Sequence, residues 1–335
     1  MAAEIKFIEG ADKPNQDIFS ETLQRLAEHD KNIIAVTSDS RGSGKLVPFG
    51  KKFPQQIVEV GIAEQNLVGV AAGLASCGKK VFAVSPACFL TARSLEQIKN
   101  DICYSDNPAT VVGISAGVSY GALGSTHHSL HDFAVLRAIN NIIIVTPADN
   151  FETEKATELA AESKVPVYLR FGKRVMPKLK ADNSDGFVFG KGRVITDGDD
   201  VAIIANGETV YPAVKAAEKL KVNGIAATVV SMHTIKPLDT ELILSLAQKC
   251  KAIITVEEHS VNGGLGEAVA SFLMQSGIAK PFKIMGIPDE YTVTGPQADI
   301  FKHYGISEDG IAGEAMNLLK RGATKPQIRK GALRF

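Results

Sequence analysis

Residues 81–115 read VFAVSPACFLTARSLEQIKNDICYSDNPATVVGIS, and this stretch contains the unit from which the architecture follows. Two short apolar runs, Val81–Ser85 and Thr110–Ser115, predict strands, and the longer stretch Ala92–Tyr104 between them predicts a helix. Both runs are continuously apolar, which is typical of parallel strands that helices cover on each face. The stretch therefore predicts an α/β fold.

The same alternation continues on both sides of this unit. In the first half it predicts strands at Ile33–Ser38, Ile142–Thr146 and Val167–Arg170, and helices at Ile18–His29, Ala63–Ser76, Leu130–Ile139 and Asn150–Ser163. The polar segment Met176–Phe187 predicts a linker. Beyond it the pattern predicts strands at Val201–Ala205, Ile225–Ser231, Ile253–Glu257 and Phe282–Met285, and helices at Val210–Leu220, Thr240–Gln248 and Leu265–Met274. We expect two doubly wound α/β domains, at residues 14–175 and 190–320.

The composition is that of an ordinary globular protein. The chain has 335 residues, which suits two domains, and 37 basic residues balance 37 acidic ones, which argues against nucleic-acid binding as the main function. No apolar run approaches the roughly 20 residues of a membrane span, and the N-terminus lacks a signal pattern, so we expect a cytoplasmic protein. The four cysteines fit no zinc template and are expected to be buried thiols: Cys77, Cys88, Cys103 and Cys250.

The loop after the first long strand contains Gly42–Lys45, but it does not match a phosphate-binding P-loop. Asp39 stands where the first glycine should be, and Leu46 stands where a serine or threonine should be. Its place after a strand is still where open α/β sheets bind ligands.

The segment EVGIAEQNLVGVAAG, Glu59–Gly73, places Glu64 at the start of a helix made of small apolar residues. Burial there would disfavour the charged carboxylate, which suits proton exchange with a ligand nitrogen. The alternative is a first-turn glutamate that the helix dipole favours.

A Gly/Ser-rich loop, Gly117–Asp132, contains His127, His128 and His131. Substrate-facing histidines on this loop are favoured over a metal site, which would need convergent ligands, and over a purely structural role. Phe89 stands between a predicted strand and a predicted helix, where its ring either packs in the core or stacks on an aromatic ligand. Arg93 either caps or forms an ion pair with a nearby group, or it lines the same site.

Taken together and in order, these segments resemble the transketolase family over nearly the whole chain. The matching stretches are Gly61–Asn66, Phe89–Arg93 with Glu96–Ile98, Gly124–His128, Leu136–Ala138, Thr146–Asp149, Val256–His259 and Gly263–Gly266. Only the pyrimidine-binding and C-terminal domains of the family are matched. The Gly-Asp-Gly motif that grips Mg²⁺ and the diphosphate of thiamine diphosphate (ThDP) is absent from the sequence, so the resemblance implies a separate partner subunit carrying that half, in a two-plus-two heterotetramer.

The resemblance also implies roles for individual residues. Glu64 corresponds to the glutamate at N1′ of the aminopyrimidine, and His127 to the histidine that handles substrate hydroxyl protons. Phe89 corresponds to the aromatic residue that stacks on the pyrimidine, with Ile62, Arg93 and Asp39 also at the cofactor. Ser43 and Arg170 correspond to residues near the phosphate of the sugar substrate. No residue of this chain is expected to hold the metal.

Several positions depart from the family pattern. Leu123 replaces an aspartate that contacts sugar hydroxyls, Ser115 replaces a histidine, Gln16 replaces a phosphate-binding arginine, and Pro86 replaces an aromatic residue. These departures predict a substrate pair other than xylulose 5-phosphate and ribose 5-phosphate.

Four alternatives stay open at this point. Three concern the function of the chain: a deoxyxylulose-phosphate-synthase-like protein, the β subunit of a 2-oxo-acid dehydrogenase, and a non-catalytic regulatory module. The fourth concerns Glu257-Glu258-His259, where a ligand site is the alternative to structural support for self-association.

Overall fold

A computed structural model describes residues 8–179 and 186–322 of the chain. The strands are β1 Ile8–Pro14, β2 Ile33–Thr37, β3 Ile57–Glu59, β4 Lys80–Pro86, β5 Thr110–Ile114, β6 Ile143–Val145, β7 Val167–Arg170, β8 Val175–Lys178, β9 Arg193–Thr196, β10 Val201–Ala205, β11 Ala227–Ser231, β12 Thr234–Lys236, β13 Ala252–Ser260 and β14 Phe282–Ile287. The α-helices are α1 Asn15–His29, α2 Val47–Lys52, α3 Glu64–Ser76, α4 Ala87–Arg93, α5 Leu95–Gln97, α6 Asp132–Arg137, α7 Asn150–Glu162, α8 Val210–Val222, α9 Thr240–Lys249, α10 Leu265–Gln275, α11 Gln297–His303 and α12 Glu308–Gly322.

The larger sheet has the strand order β12-β6-β7-β5-β4-β2-β3, and all its pairs are parallel except β12 with β6. Helices α1, α2 and α7 cover one face through a cluster that contains Phe19, Phe49 and Ala156. Helices α3 and α6 cover the other face through Leu67 and Phe133. Because the central strands are buried on both faces, they are continuously apolar, as the sequence predicts.

The smaller sheet has the order β14-β13-β10-β11-β9, and β9 is its one antiparallel strand. Helices α8, α11 and α12 pack on one face, and α9 and α10 pack on the other. Both sheets are therefore doubly wound, which confirms the predicted α/β class with two such layers. The domain limits 14–175 and 190–320 stay a prediction, because β12 comes from the second segment yet extends the first sheet.

The predicted linker is wrong at its start. Residues Val175–Lys178 form strand β8, antiparallel to β1, and Met176 is buried. At the other end Phe187 is also buried, with its ring stacked 4.1 Å from that of His233. Residues 180–185 of the predicted linker lie outside the described residues. The sequence missed β8 because its partner strand lies at the opposite end of the domain sequence, and no local pattern encodes that pairing.

Three local predictions also need correction. The helix predicted at Ala92–Tyr104 is divided into α4, α5 and a π-helix at Ile98–Tyr104. The helix predicted at Leu130–Ile139 is limited to α6, because the preceding chain forms the loop described below. Cys77 is exposed, whereas the other three cysteines are buried as predicted. Of the helices in residues 8–179 and 186–322, none combines the length and the apolar character that crossing a bilayer requires.

Candidate active site

The predicted site residues follow the carboxyl ends of β2, β3, β4 and β5, which meet at one edge of the larger sheet. Asp39 follows β2, Ile62 and Glu64 follow β3, Phe89 and Arg93 lie on α4 after β4, and the histidine loop follows β5. This edge of a parallel sheet is where α/β proteins place ligands, because helix N-termini and loops converge there.

Glu64 begins α3 and is only 5% exposed. Its Oε1 accepts a hydrogen bond from Nη1 of Arg93 at 2.9 Å, so the carboxylate is paired rather than isolated. The Arg93 guanidinium carbon also lies 4.4 Å from the ring centroid of Phe89, over its face. Arg93 therefore joins the carboxylate and the aromatic ring, and its own side chain is 50% exposed.

His127 lies against the other side of Phe89. The two ring centroids are 5.2 Å apart at an interplanar angle of 74°, and Tyr120 contacts the same imidazole edge-on at 5.5 Å. The hydroxyl oxygen of Thr126 lies 3.0 Å from His127 Nδ1, which leaves Nε2 for a ligand. Glu64, Arg93, Phe89, His127 and Tyr120 thus form one continuous row.

Two lysines that the sequence did not single out lie at the far end of this row. The Lys173 ammonium lies 4.2 Å from the Tyr120 ring centroid. The pKa of Lys173 is lowered by burial and by the charge of Lys45 nearby. Lys45 pairs with Asp17, whereas Lys173 has no carboxylate partner among the residues described. The sequence signal for Lys173 was its position just after β7, three residues beyond Arg170, which the resemblance indicated.

Asp39 and Ser43 lie on an exposed loop that Glu59 organises. Glu59 accepts hydrogen bonds from the Asp39 N–H at 2.6 Å, the Thr37 hydroxyl at 2.7 Å and the Gly61 N–H at 3.2 Å. Burial alone would raise the pKa of Glu59, but these bonds lower it. The bond to its N–H helps to hold Asp39 at a positive φ of 54°. Sequence reasoning missed this role.

Ile62 is 74% exposed beside the Glu64 helix. A large apolar side chain in open solvent at this edge provides a surface that a ligand or a partner chain can cover.

Arg170 does not belong to this row. Its Nε donates to Asp132 Oδ2 at 2.7 Å, and its Nη2 donates to the carbonyl oxygens of Ser129 at 3.2 Å and Glu258 at 2.9 Å. The arginine and aspartate side chains are 4% and 0% exposed. The expectation that Arg170 meets a substrate phosphate does not fit this placement, because the side chain is buried and its Nε and Nη2 donors are committed inside the protein.

The second domain holds the histidine loop in place. His128 is buried, and its Nδ1 lies 2.6 Å from the hydroxyl oxygen of Thr292. The Ser125 hydroxyl forms a hydrogen bond with the same Thr292 hydroxyl at 3.0 Å. The pKa of His128 is lowered by burial. Glu258 accepts the Val118 N–H at 2.8 Å at the start of the loop.

The motif Glu257-Glu258-His259 is buried between the domains. Glu257 accepts the N–H groups of Leu265 at 2.7 Å and Gly266 at 2.8 Å, and His259 stacks on Phe133 at 5.0 Å. These contacts hold the start of α10 and pack the second domain against α6 of the first.

The positions that depart from the family pattern are also connected. The Gln16 amide donates to the Ser115 hydroxyl at 3.2 Å, and both side chains are buried. Burial raises the pKa of Tyr120, although its hydrogen bond with Ser115 opposes this. Leu123 is 54% exposed on the His127 loop. A neutral, hydrogen-bonded pair thus fills the place where the resemblance implies a histidine and an arginine.

Comparison with known proteins now identifies the family. Residues 13–178 match the model of the transketolase pyrimidine-binding domain, and residues 190–311 match that of the transketolase C-terminal domain. An apulose-4-phosphate transketolase subunit from Phocaeicola vulgatus is 49% identical over 303 residues, covering 90% of this chain and 96% of that protein. The chain belongs to the transketolase family.

Two further relatives define which part of a transketolase this chain resembles. A solved structure described as a split-gene transketolase in an inactive β4 tetramer superposes with a TM-score of 0.84 at 35% identity, covering 92% of this chain and 99% of that one. The 1-deoxy-D-xylulose-5-phosphate synthase of Halothermothrix orenii is 37% identical over 304 residues, covering 90% of this chain but only 48% of the synthase. The chain is therefore a split-transketolase subunit of the C-terminal type.

The pyrimidine-binding domain of this family implies ThDP as cofactor, and the row of residues fits an aminopyrimidine. Glu64 supplies a buried carboxylate for a ring nitrogen, and Phe89 supplies an aromatic face. In the described ranges, no cluster of three or more His, Cys, Asp or Glu side chains is arranged to hold a metal ion.

Proposed function

We propose that this chain is the pyrimidine-binding and substrate-facing subunit of a ThDP- and Mg²⁺-dependent transketolase that moves a two-carbon ketol unit between sugar phosphates. The observation that carries the proposal is the row in which buried Glu64 and Phe89 are joined by Arg93 and followed by His127. When bound, ThDP supplies the carbon nucleophile for breaking and making carbon–carbon bonds. A separate subunit holds its diphosphate and Mg²⁺, this chain also associates with itself, and the complex is cytoplasmic.

Glu64 holds a proton at the ring nitrogen of the pyrimidine. A buried carboxylate makes a strong hydrogen bond to such a group, since little solvent competes for the contact. The ring nitrogen and Arg93 compete for the same carboxylate, so Arg93 must give up or share its contact with Glu64 when the ring binds. Asp39 and Ile62 border the same edge of the sheet and complete the cofactor side of the site.

His127 faces the substrate and exchanges protons with its hydroxyl groups. Its contact with Thr126 sets the ring orientation, and the edge-on contacts with Phe89 and Tyr120 limit its motion. Lys173 and Lys45, with Ser43 on the adjoining loop, bind the substrate phosphate. A dianion between the two lysines would relieve the repulsion that lowers the pKa of Lys173.

The substrate pair differs from that of ordinary transketolases. The neutral pair Gln16–Ser115 offers a phosphate no positive charge, and Leu123 offers a sugar hydroxyl no acceptor. Sites that lose such partners discriminate strongly against the ligands that need them. The Phocaeicola relative is named for apulose 4-phosphate, so we place that ketose phosphate first as donor for this chain.

A second candidate is a synthase-type reaction that condenses pyruvate with an aldehyde. The 37% identity to a 1-deoxy-D-xylulose-5-phosphate synthase favours it as the alternative. The two reactions use different donors, so one assay separates them.

The test is a donor screen with the complex of this chain and its diphosphate-binding partner. The wild type should transfer a ketol unit from apulose 4-phosphate, and Glu64→Gln should lose activity by about 10²–10⁴-fold without loss of folding. Glu96→Gln, the same chemical change at an exposed position on α5, which follows Arg93, is the matched control and should retain activity. Ordinary turnover of xylulose 5-phosphate with ribose 5-phosphate would contradict the substrate proposal, and turnover of pyruvate would establish the synthase alternative.

A further inference from the structure

A cleft of about 550 Å³ lies between the two domains, and none of the residues in the row from Glu64 to Tyr120 lines it. Arg137 at the end of α6 lines one side, and Lys236, Leu238 and Thr240 line the next. Helix α10 closes it with Ser271 and Phe272. No residue of the proposed active site takes part in this lining.

The two cations of this cleft lack acidic partners. Among the side chains that the structure describes, no carboxylate forms an ion pair with Arg137 or Lys236. Arg137 Nη1 donates to the carbonyl oxygens of Gly263 and Gly264, and Lys236 Nζ donates to those of Arg137, at 3.2 Å, and of Ile139. Backbone carbonyls orient the two groups but do not neutralise them.

Their charges also act on each other. The pKa of Lys236 is lowered by burial and by the charge of Arg137, which together outweigh the opposite effect of Cys103. The acidic groups nearest along the chain are used elsewhere. Asp239 caps α9 through the N–H of Leu242 and also binds the N–H of Gly192. Glu257, which feels the charge of Arg137, binds the N–H groups at the start of α10.

Uncommitted donors remain for an anion. The Nε and Nη2 hydrogens of Arg137 and one ammonium hydrogen of Lys236 have no acceptor in the described part of the chain. The Thr240 and Ser271 hydroxyls are also in the lining, and the Ser271 oxygen accepts from the Gln275 amide at 2.8 Å. Phe272 and Leu238 add an apolar wall. Two adjacent positive charges with free donors match a tetrahedral dianion better than a single carboxylate.

We propose that this interdomain cleft binds a small organic phosphate, with its phosphate on Arg137 and Lys236 and its carbon body against Phe272 and Leu238. The site is independent of the proposed reaction. Its ligand bridges the two domains and stabilises their contact, since both contribute to the lining.

The test supplies the missing carboxylate. Ser271→Asp places a negative charge in the lining, and Met274→Asp places the same charge on the same helix at a position that is 71% exposed and outside the lining. Both changes are made in a Lys173→Gln background, so that phosphate at the proposed active site does not contribute. The readout is the melting temperature of the full chain during titration with inorganic phosphate at constant ionic strength.

The background protein and Met274→Asp should be stabilised saturably by phosphate. Ser271→Asp should melt higher without phosphate and bind phosphate about tenfold or more weakly, since an adjacent carboxylate competes for the cations. Crystals soaked in tungstate should show its anomalous peak between Arg137 and Lys236. No saturable stabilisation, equal responses of the two variants, or a carboxylate of a second copy seated between the two cations would overturn the proposal.

Discussion

Replacing Arg170 with methionine should destabilise the fold by about 3–5 kcal/mol, the usual cost of removing one partner of a buried ion pair. The change leaves Asp132, which is fully buried, with the Tyr168 hydroxyl at 2.8 Å as its hydrogen-bond donor and with His259 Nε2 at 3.7 Å. It also removes the donors to the carbonyl oxygens of Ser129 and Glu258, at about 1 kcal/mol for each hydrogen bond. Arg170 thus ties the histidine loop to the second domain.

The loss should depend on pH. In the native protein, burial would raise the pKa of Asp132, but the charges of Arg170 and His259 lower it. Without Arg170 the folded-state pKa moves above that of the unfolded chain, so the protonated form is the stable one. Stability is then lost as pH rises through the new pKa, and the variant should be closest to wild type in acid. Removing both charges, in Asp132→Asn with Arg170→Met, should restore part of the loss.

The assay is urea unfolding at one fixed protomer concentration, because the proposed self-association would make stability depend on that concentration. Arg25→Met is the control, since Arg25 is 48% exposed in its pair with Glu158 and such pairs contribute only about 0–1 kcal/mol. An Arg170→Met variant as stable as this control, with only a raised KM for the sugar phosphate, would show that Arg170 binds substrate and does not support the fold.

Three further predictions concern the site and its supports. Leu123→Asp should raise kcat/KM for xylulose 5-phosphate by about tenfold, because it supplies an acceptor for a sugar hydroxyl; unchanged donor preference in a competition assay would count against this. Thr292→Val should lower kcat/KM about tenfold by leaving His128 and Ser125 without their shared hydroxyl, whereas Thr292→Ser should not; equal effects of the two changes would contradict it. Burial and then the charge of Glu208 raise the pKa of Glu258 from 4.5 to about 8, so this group stabilises the fold when protonated. Its contribution is lost as pH rises toward 8, by up to about 1.4 kcal/mol per unit, and Glu258→Gln should flatten that slope in urea titrations; an equal slope would exclude this origin.

The alternation of apolar runs and helices was sufficient to predict the fold class, because parallel strands that are buried on both faces carry their own signal. Strands β8 and β12 were not predictable from local pattern. Each is short and pairs with a distant segment, so its conformation depends on tertiary contacts. The linker prediction failed for the same reason at Met176.

The candidate site was predicted in part. Spacing and resemblance located Glu64, Phe89, Arg93 and His127, and the structure brings these four together. Arg170 could not be assigned from sequence, because an arginine at a strand end looks the same whether its partner is a ligand or a buried aspartate. The role of Glu59 was likewise invisible, since it depends on three loop groups that converge only after folding.

The proposed role of this chain is to supply one half of a ThDP site. The most direct measurement is native purification from the source cells with this chain as bait, followed by intact-complex mass spectrometry and cofactor analysis. We expect a stoichiometric partner carrying a Gly-Asp-Gly…Asn motif, with ThDP retained in the complex. Recovery of this chain only as its own oligomer, without ThDP, would exclude this role.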